Sequence, residues 1–281
     1  MDITYKYRIF RPGGNETVLV EWIIEDPVLR KEVNDRIMNA YNNNWEIIIE
    51  QVWFIDYSLE NPTLMMAWWE FCGNATRSFV YSLLNGQIGE VEVSVSGIDR
   101  KLKAWINKEN SARAEMPIYK DPHNIEQDIE IPENYIVKMQ WISHYINNQG
   151  LPFDINSNDF SKKIKNHAMK IIQKKWLDQY PAAWVMYIEK TNKWLKMIPV
   201  VYVKSIDTLF LETACGSGTT ALGLVEAKKT GKNLDELVIE QYSGMPIYVS
   251  VNINSETGEF IDAKIDGPIT EIEKWNINRN K

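Results

Sequence analysis

The first third of the chain alternates apolar runs with turn signals, a pattern typical of β-strands. Its apolar runs are rich in valine, isoleucine, methionine and aromatic residues, which favour strands, and they cover 17–24, 46–55, 64–69 and 91–97. Segments with glycine, asparagine or proline at 11–15 and 60–62 predict turns. We therefore predict that this part of the chain is built from strands.

Helical periodicity appears directly after Cys72. Apolar residues recur at helical spacing from Phe79 to Leu84, and the Asn-Gly pair at 85–86 predicts the end of this helix. A longer helix is predicted over 159–178, with an apolar stripe made of Phe160, Ile164, Ala168, Ile171, Ile172 and Leu177.

The rest of the second half again predicts strands around a helix. One strand is expected over 135–146, and others are expected over 182–189 and 196–204. The segment 210–231 predicts a strand, a turn and a helix that ends at Gly231, with hairpins to follow. The acidic stretch 119–134 has two prolines and little periodicity, so we expect a linker there.

Two segments about half the chain apart share one plan. "FCGNATRSFVYSLLNG" and "ACGSGTTALGLVEAKKTG" each place Cys-Gly and small polar residues before a helix. A threonine lies four residues after each cysteine, at Thr76 and Thr219, and a strand with "VSV" follows each helix. This weak repeat predicts two halves of similar structure, each with one cysteine at a helix N-terminus.

Composition and charge exclude several classes of protein. The 281 residues carry a formal net charge of −7, which argues against sequence-independent nucleic-acid binding. We interpret the lysines of 161–175 as the solvated face of a helix. No apolar run reaches the roughly 18 residues that span a bilayer, and the N-terminus does not resemble a signal peptide, so we expect a cytoplasmic protein without a membrane partner.

Metal and disulfide chemistry is also disfavoured. Two cysteines cannot form a disulfide framework or a zinc site unaided, and the three histidines lack metal-ligand spacing. A redox pair normally uses Cys-x-x-Cys, which is absent. A single buried cysteine is most often a small apolar residue, but that interpretation does not explain two matching units.

The setting of the two cysteines favours acid–base chemistry. At the first turn of a helix, unpaired N–H groups and the helix dipole favour thiolate, so we expect a lowered pKa for both thiols. The small residues after each cysteine let backbone amides approach an anion such as a carboxylate. One thiolate could remove the α-proton of an amino acid while the other thiol protonates the opposite face.

These motifs resemble the diaminopimelate epimerase family of cofactor-independent, two-cysteine racemases and epimerases. The chain looks closer to the branch of histidine racemases that feed staphylopine-type metallophore synthesis. The two cysteine segments are the specific matches, and "RPGGNETVLV", "EQVWFI", "WISHYI" and "IDGPITEI" resemble other segments of the family.

The resemblance implies roles by position. Cys72 and Cys215 would be the acid–base pair, Glu212 would hold the α-amino group or orient a thiol, and His144 would help polarise a cysteine. The implied substrate contacts, with the helix-start residues at the α-carboxylate, are Asn15, Glu50, Gln51, Gly73, Asn74, Thr76, Gly216, Ser217 and Gly218. Structural roles stay open for His144, Glu212, Asn15 and Gln51.

The chain departs from the family pattern in two ways. No arginine lies in "SIDTLFLET", where the epimerases hold a distal carboxylate, which favours a neutral or aromatic side chain such as imidazole, with Glu50 in position to meet it. Tryptophan also replaces the small residues expected at 53, 68, 69, 141 and 184. These tryptophans could shape an aromatic pocket, plug an inactive binding protein, or stand where the native gene reads UGA as glycine.

We expect an α+β protein of two pseudo-symmetric domains with the diaminopimelate epimerase-like fold, each a mixed β-sheet or barrel around a central helix. The domains are predicted as 1–131 with 267–281, and 132–266, with the site in the cleft between them. The expected function is racemisation or epimerisation of an amino acid without pyridoxal phosphate, other cofactor or metal.

L-Histidine is the first substrate candidate and diaminopimelate the second. The alternative from another class is a non-catalytic amino-acid-binding protein. The expected partner is a small-molecule amino acid, and a homodimer is left open.

Overall fold

The computed structural model describes residues 4–42, 49–58, 60–66, 71–139, 142–191 and 194–278. The chain divides into two compact units, 1–115 with 266–281 and 116–265. These divisions are earlier in the chain than the predicted ones at 131 and 266. The second unit therefore includes the acidic stretch 119–134, which was expected to be a linker.

The regular elements follow one another in chain order, and most strands are short. The strands are β1 (Thr4–Pro12), β2 (Thr17–Val20), β3 (Gln51–Asp56), β4 (Thr63–Met66), β5 (Gly89–Val95), β6 (Leu102–Ile106), β7 (Ser111–Met116), β8 (Ile125–Gln127), β9 (Tyr135–Met139), β10 (Ile142–Asn147), β11 (Ala182–Lys190), β12 (Leu195–Val203), β13 (Thr208–Leu211), β14 (Leu234–Glu240), β15 (Pro246–Ile253) and β16 (Phe260–Asn278). The α-helices are α1 (Pro27–Asn42), α2 (Gly73–Leu83), α3 (Phe160–Lys174) and α4 (Gly216–Thr230).

The first unit is a closed barrel of eight strands. Its strands run in the order β1 to β7 and then β16, and β16 pairs back onto β1. The pairs β2–β3 and β4–β5 are parallel, and the helices α1 and α2 connect them. Closure leaves no unpaired sheet edge in this ring of strands.

The helix α2 is the core of this barrel. Nine of its eleven residues are buried, and Ala75, Phe79 and Val80 pack in one apolar cluster with strand residues such as Trp53 and Leu102. A helix that is buried on nearly every side must be short of charge, and Arg77 is its one exception.

The helix α1 was missed by the sequence analysis. Its Val33 and Ile37 pack on Val18 and Val52 in a second cluster, on the other side of the sheet from α2. The signals were present: Pro27 occupies the first helical position, and the Asp26 side chain accepts a hydrogen bond from the Val28 N–H. The loss of strand pattern after residue 24 is explained by this helix.

The second unit repeats the connections of the first. The pairs β9–β10, β11–β12 and β14–β15 are antiparallel, as are β1–β2, β3–β4 and β5–β6. The parallel pairs β10–β11 and β12–β14 are connected through α3 and α4. Because α1 and α2 hold the same places in the first unit, the two halves share one topology.

The helix α4 is the buried helix of the second unit and packs close to strands. A side chain at Gly218 would meet the end of Met186, and one at Gly223 would meet Val249 at 2.7 Å. The outer helix α3 instead buries only one stripe, with Phe160, Ile164, Ala168 and Ile172 buried, which confirms four of the six predicted positions. The helix ends at Lys174 rather than at 178, so that Leu177 lies in a separate turn, and Ile171 is only partly buried.

Two further predictions need correction. The run 135–146 is two antiparallel strands, β9 and β10, in which Met139 pairs with Ile142. The stretch 119–134 holds β8, which pairs with β9 because Ile125 is buried. Among the described residues no helix is long and apolar enough to span a membrane.

Candidate active site

Both cysteines occupy the position directly before a buried helix. Cys72 precedes α2 with φ −139° and ψ 118°, and Cys215 precedes α4 with φ −136° and ψ 110°. The carbonyl of each accepts the first helical N–H at 3.0 Å, from Thr76 and from Thr219. The predicted repeat is therefore confirmed in the backbone around the two thiols.

The paired threonines are used in the same way. The Thr76 hydroxyl donates to the Cys72 carbonyl at 2.9 Å, and the Thr219 hydroxyl donates to the Cys215 carbonyl at 2.8 Å. Both hydroxyls thus fix the first turn of a helix. This contact gives Thr76 a structural use beside the substrate contact predicted for it.

The first turn of each helix provides backbone N–H groups beside a thiol. Gly73 and Asn74 begin α2, and Gly216, Ser217 and Gly218 begin α4. The Gly218 N–H donates to the Cys215 sulfur at 3.4 Å. Such helix starts bind anions through unpaired N–H groups and the positive end of the helix dipole.

Cys215 is held on several sides. Its backbone N–H donates to Gln241 Oε1 at 3.0 Å, and Gln241 in turn donates to the Thr219 hydroxyl at 3.1 Å. Its sulfur lies 3.4 Å from the Ser217 hydroxyl. Gln241 is fully buried, and the sequence offered no signal for it other than its position after β14.

A chain of side chains extends from Cys215 to Glu212. The Ser217 hydroxyl is 2.9 Å from His144 Nε2, and the His144 ring stacks on Trp184 with centroids 5.0 Å apart. The Trp184 indole N–H donates to Glu212 Oε2 at 3.0 Å. The structure therefore brings together three of the predicted site residues, His144, Ser217 and Glu212, around Cys215.

The thiol of Cys215 is favoured over its thiolate, which corrects the predicted lowering of its pKa. Burial raises the pKa of Cys215 well above its usual value, and the charge of Glu212 raises it further. Hydrogen bonds from Ser217 and from the Gly218 N–H act in the opposite direction. Desolvation penalises the charged sulfur more than the helix start stabilises it.

His144 is a neutral imidazole. Burial lowers the pKa of His144 to about 3, because a charged ring would lose its hydration. Its Nδ1 atom has no hydrogen-bond partner in the described part of the chain. Within the described part of the chain, His144 reaches Cys215 through Ser217, and it does not bring a positive charge to the thiol.

The surroundings of Cys72 differ. Its side chain is half-buried and makes no capping hydrogen bond to α2. The fully buried Arg77 interacts with it electrostatically: burial lowers the pKa of Arg77 to about 10, while the charges of Asp266 and Cys72 raise it. The attraction is mutual, so the guanidinium favours the thiolate form of Cys72.

Arg77 is a functional candidate that the sequence analysis missed. It donates to the Ala112 carbonyl at 2.8 Å, to Asn74 Oδ1 at 3.2 Å and to the Pro268 carbonyl at 3.3 Å. An arginine in the middle of an otherwise uncharged buried helix was the available signal.

The remaining predicted residues form a polar cluster in the first unit. Asn15 donates to Glu50, and the Gln51 amide donates to Asn15 and, at 3.2 Å, to the Thr17 hydroxyl. The Trp53 indole donates to Gln51 Oε1 at 2.8 Å. The structure thus places Asn15, Glu50 and Gln51 side by side.

The five tryptophans at positions where the family pattern has small residues differ in their surroundings. Trp53 is completely buried, Trp184 is partly exposed, and Trp68, Trp69 and Trp141 lie outside the described residues.

Comparison with known proteins gives one consistent result. The model of the family described as "Histidine racemase CntK N-terminal domain" matches residues 5–272. A histidine racemase of Fusobacterium nucleatum is 32% identical over 278 residues, which cover 95% of this chain and 94% of the relative.

Two solved structures share the fold at low identity. A probable proline racemase from Agrobacterium radiobacter, with bound carbonate, has a TM-score of 0.67 at 10% identity. The match covers 97% of this chain and 92% of the racemase chain. A hydroxyproline epimerase from Agrobacterium vitis, with bound trans-4-hydroxy-L-proline, has a TM-score of 0.65 at 10% identity. The match covers 99% of this chain and 93% of the epimerase chain.

Proposed function

The chain belongs to the family of the histidine racemase CntK N-terminal domain, and from this premise we propose that it racemises histidine with two cysteine thiols. It is an isomerase, an amino-acid racemase or epimerase. The finer proposal includes the substrate, the two-thiol mechanism without pyridoxal phosphate or metal, and a role in supplying metallophore synthesis.

One observation carries the mechanism: two thiols stand at equivalent helix starts in two halves of one topology. Inversion at an α-carbon needs a base on one face and an acid on the other. Two equivalent thiols supply both with one type of side chain, and each can return the proton in the reverse direction. The reaction therefore needs no third acid or base.

The unequal surroundings of the thiols support an assignment of the resting state. Arg77 favours a thiolate at Cys72, while burial and Glu212 keep the proton on Cys215. We assign Cys72 as the base and Cys215 as the acid in that state. Cys72 takes the α-proton as the C–H bond breaks, and Cys215 gives its proton to the opposite face of the carbanion.

The helix starts support the binding of the α-carboxylate. Charge accumulates on this carboxylate as the carbanion forms, and preorganised N–H groups stabilise it most where the charge develops. We assign this role to the N–H groups of Gly73, Asn74, Gly216 and Ser217. Each group lies in the first turn of a helix, so the helix dipole adds to the effect.

The polar side chains near the thiols complete the proposed site. Glu212 is the carboxylate placed closest in sequence to Cys215, and its charge acts on that thiol, so it is suited to the substrate ammonium. The cluster of Asn15, Glu50 and Gln51 provides amide and carboxylate groups for an imidazole side chain.

The substrate is tested by α-proton exchange. Purified protein with reductant is incubated in D2O with histidine, each other common amino acid and diaminopimelate, followed by NMR and chiral chromatography. We expect exchange and inversion with histidine above all others. Exchange with diaminopimelate alone would replace the substrate, and no exchange with any compound would support the binding-protein alternative.

A further inference from the structure

Two tryptophans occupy the same place in the two halves. Trp53 is the third residue of β3 and pairs with Leu19 on the parallel strand and with Met66 on the antiparallel one. Trp184 is the third residue of β11 and pairs with His144 and Val201 in the same two ways. The register therefore makes them equivalent positions of the repeat.

Each indole N–H is bonded to a polar side chain of the candidate site. Trp53 donates to Gln51 Oε1 at 2.8 Å, and Trp184 donates to Glu212 Oε2 at 3.0 Å. A substrate ammonium or imidazole N–H would need these same acceptor atoms. An internal donor at that distance competes with it, because an oxygen that already accepts one N–H has fewer lone pairs left for the substrate.

The rings also fill space in the same part of each unit as the thiol-bearing helix. Trp53 belongs to the apolar cluster against which Cys72 packs, and it is fully buried. The Trp184 ring stacks on His144, the residue that contacts Ser217 beside Cys215. An indole is among the largest side chains to place there, since a buried aromatic covers about 150–250 Å².

We propose that Trp53 and Trp184 are a matched pair of self-blocking residues that limit substrate binding. Each ring occupies volume next to a thiol-bearing helix, and each N–H occupies an acceptor that the substrate would use. The pair sets substrate affinity without taking part in proton transfer. This inference rests on the proposed function for its ligand, an α-amino acid with a ring-bearing side chain.

The test uses the full chain with substitutions of graded severity. Trp184→Phe keeps a ring and removes the N–H, while Trp184→Gly removes both. Trp53→Phe is the variant of choice at the fully buried position, where glycine leaves a large cavity. Trp22→Phe is the matched control, because Trp22 is 63% exposed and is not part of the candidate site.

The readouts are calorimetric affinity for L-histidine, KM, kcat and thermal unfolding. We expect Kd and KM to fall about tenfold in Trp184→Phe, the effect of releasing one hydrogen-bonded acceptor, with kcat little changed. A further fall is expected in Trp184→Gly, and a fall in Trp53→Phe. Trp22→Phe should match the wild type.

The outcomes separate this inference from the proposed function. If no variant and no wild type inverts histidine, the proposed function fails, and the calorimetric affinities still decide this inference. A tighter Kd in Trp184→Gly alone supports blocking by the ring, and a tighter Kd in Trp184→Phe as well supports blocking by the N–H. Affinity that is unchanged or weaker in both, with folding intact, overturns the inference.

Discussion

The two cysteines share a backbone setting but differ in their electrostatic surroundings. Both stand before a buried helix with φ and ψ within a few degrees of each other. The fifth residue after Cys72 is the buried cation Arg77, while the fifth after Cys215 is Thr220, whose hydroxyl donates to the Gly216 carbonyl at 2.9 Å. Glu212 adds a negative charge near Cys215.

This difference shows which part of the repeat is fixed by the fold and which by individual side chains. The shared topology fixes where the thiols lie, since each cysteine is in the connection between two parallel strands, directly before its buried helix. Burial and charged neighbours then shift the balance between thiol and thiolate at each cysteine. In the proposed mechanism this asymmetry favours one of the two protonation states, and the reverse reaction uses the other.

The largest predicted effect is the loss of either thiol. Replacing Cys72 or Cys215 by alanine should lower the rate of histidine racemisation by about 10³-fold, since general acid–base groups contribute 10²–10⁴. Chiral chromatography measures the rate. The control is Ser78→Ala, which removes a hydroxyl from the buried face of α2 whose only described bond is to the Asn74 carbonyl. If one cysteine variant keeps full activity, the two thiols do not form a pair.

The second prediction concerns His144, whose counterpart in the register of the first half is Leu19. Its pKa of about 3 in the folded chain is below the unfolded value of 6.5. As pH falls from about 6.5 towards 3, this histidine takes up a proton in the unfolded chain but not in the folded chain. The free energy of unfolding that is present above pH 6.5 is therefore lost over this pH range. The free energy of unfolding should fall by about 2 kcal/mol between pH 7.5 and pH 5 from this group alone.

Urea unfolding of the wild type and of His144→Gln checks this window. Glutamine does not titrate, so its free energy of unfolding should change less over the same pH range. Equal pH dependence in the two proteins would show that His144 is protonated in the folded chain.

The third prediction removes the charge beside Cys215. Glu212→Gln should lower the pKa of Cys215, because a neighbouring carboxylate favours the thiol. Iodoacetamide labelling across a pH series, with each cysteine peptide quantified by mass spectrometry, reports the change. In the wild type Cys72 should be labelled faster than Cys215.

Glu226→Gln is the control for that experiment. It removes a carboxylate from the far end of α4, where Glu226 pairs with Lys229, and should leave the labelling of Cys215 as it was. Faster labelling of Cys215 than of Cys72 in the wild type would reverse the assigned acid and base.

The smallest predicted effect compares two helix ends of the second half. After α4 the chain turns through Gly231 with φ 63°, and after α3 it turns through Trp176 with φ 56°. A left-handed backbone favours glycine, and Trp176 is 76% exposed. Trp176→Gly should therefore raise the free energy of unfolding by roughly 0.5 kcal/mol, the relief of strain less the entropy of glycine.

The matched control is Trp22→Gly. Trp22 is similarly exposed, but it is not among the residues with positive φ. This substitution should give no gain in the free energy of unfolding by urea. A loss of stability in Trp176→Gly would mean that the ring contributes more than the strained backbone costs.

The two buried helices could be predicted from sequence because each combines a small-residue start with helical periodicity. The helix α1 was missed although Asp26 and Pro27 mark its start, since its apolar residues are few and it lies between strand-like runs. The pKa of Cys215 was predicted in the wrong direction, because burial and the approach of Glu212 depend on tertiary packing that local sequence does not reveal. The equivalence of Trp53 and Trp184 in the two halves became evident only from the strand register, for the same reason.

The structure bears on the question of whether these tryptophans stand where the native protein has glycine. Trp176 lies where the backbone favours glycine, and Trp53 and Trp184 hold acceptors in the candidate site. A chain translated with UGA as glycine would carry glycine at position 184 if that codon is UGA. The affinity of Trp184→Gly for histidine therefore bears on that interpretation as well as on the self-blocking pair.

The most direct test of the two-thiol account is the isotope at Cα in the earliest D-histidine formed from L-histidine in D2O. Because the acid that protonates the second face is a different thiol from the base, the new α-hydrogen should come from a thiol equilibrated with solvent. We predict that D-histidine carries deuterium from the first turnovers, while the remaining L-histidine still carries protium. D-Histidine that retains the substrate's own α-hydrogen would contradict the account, because one group would then have moved the proton between faces.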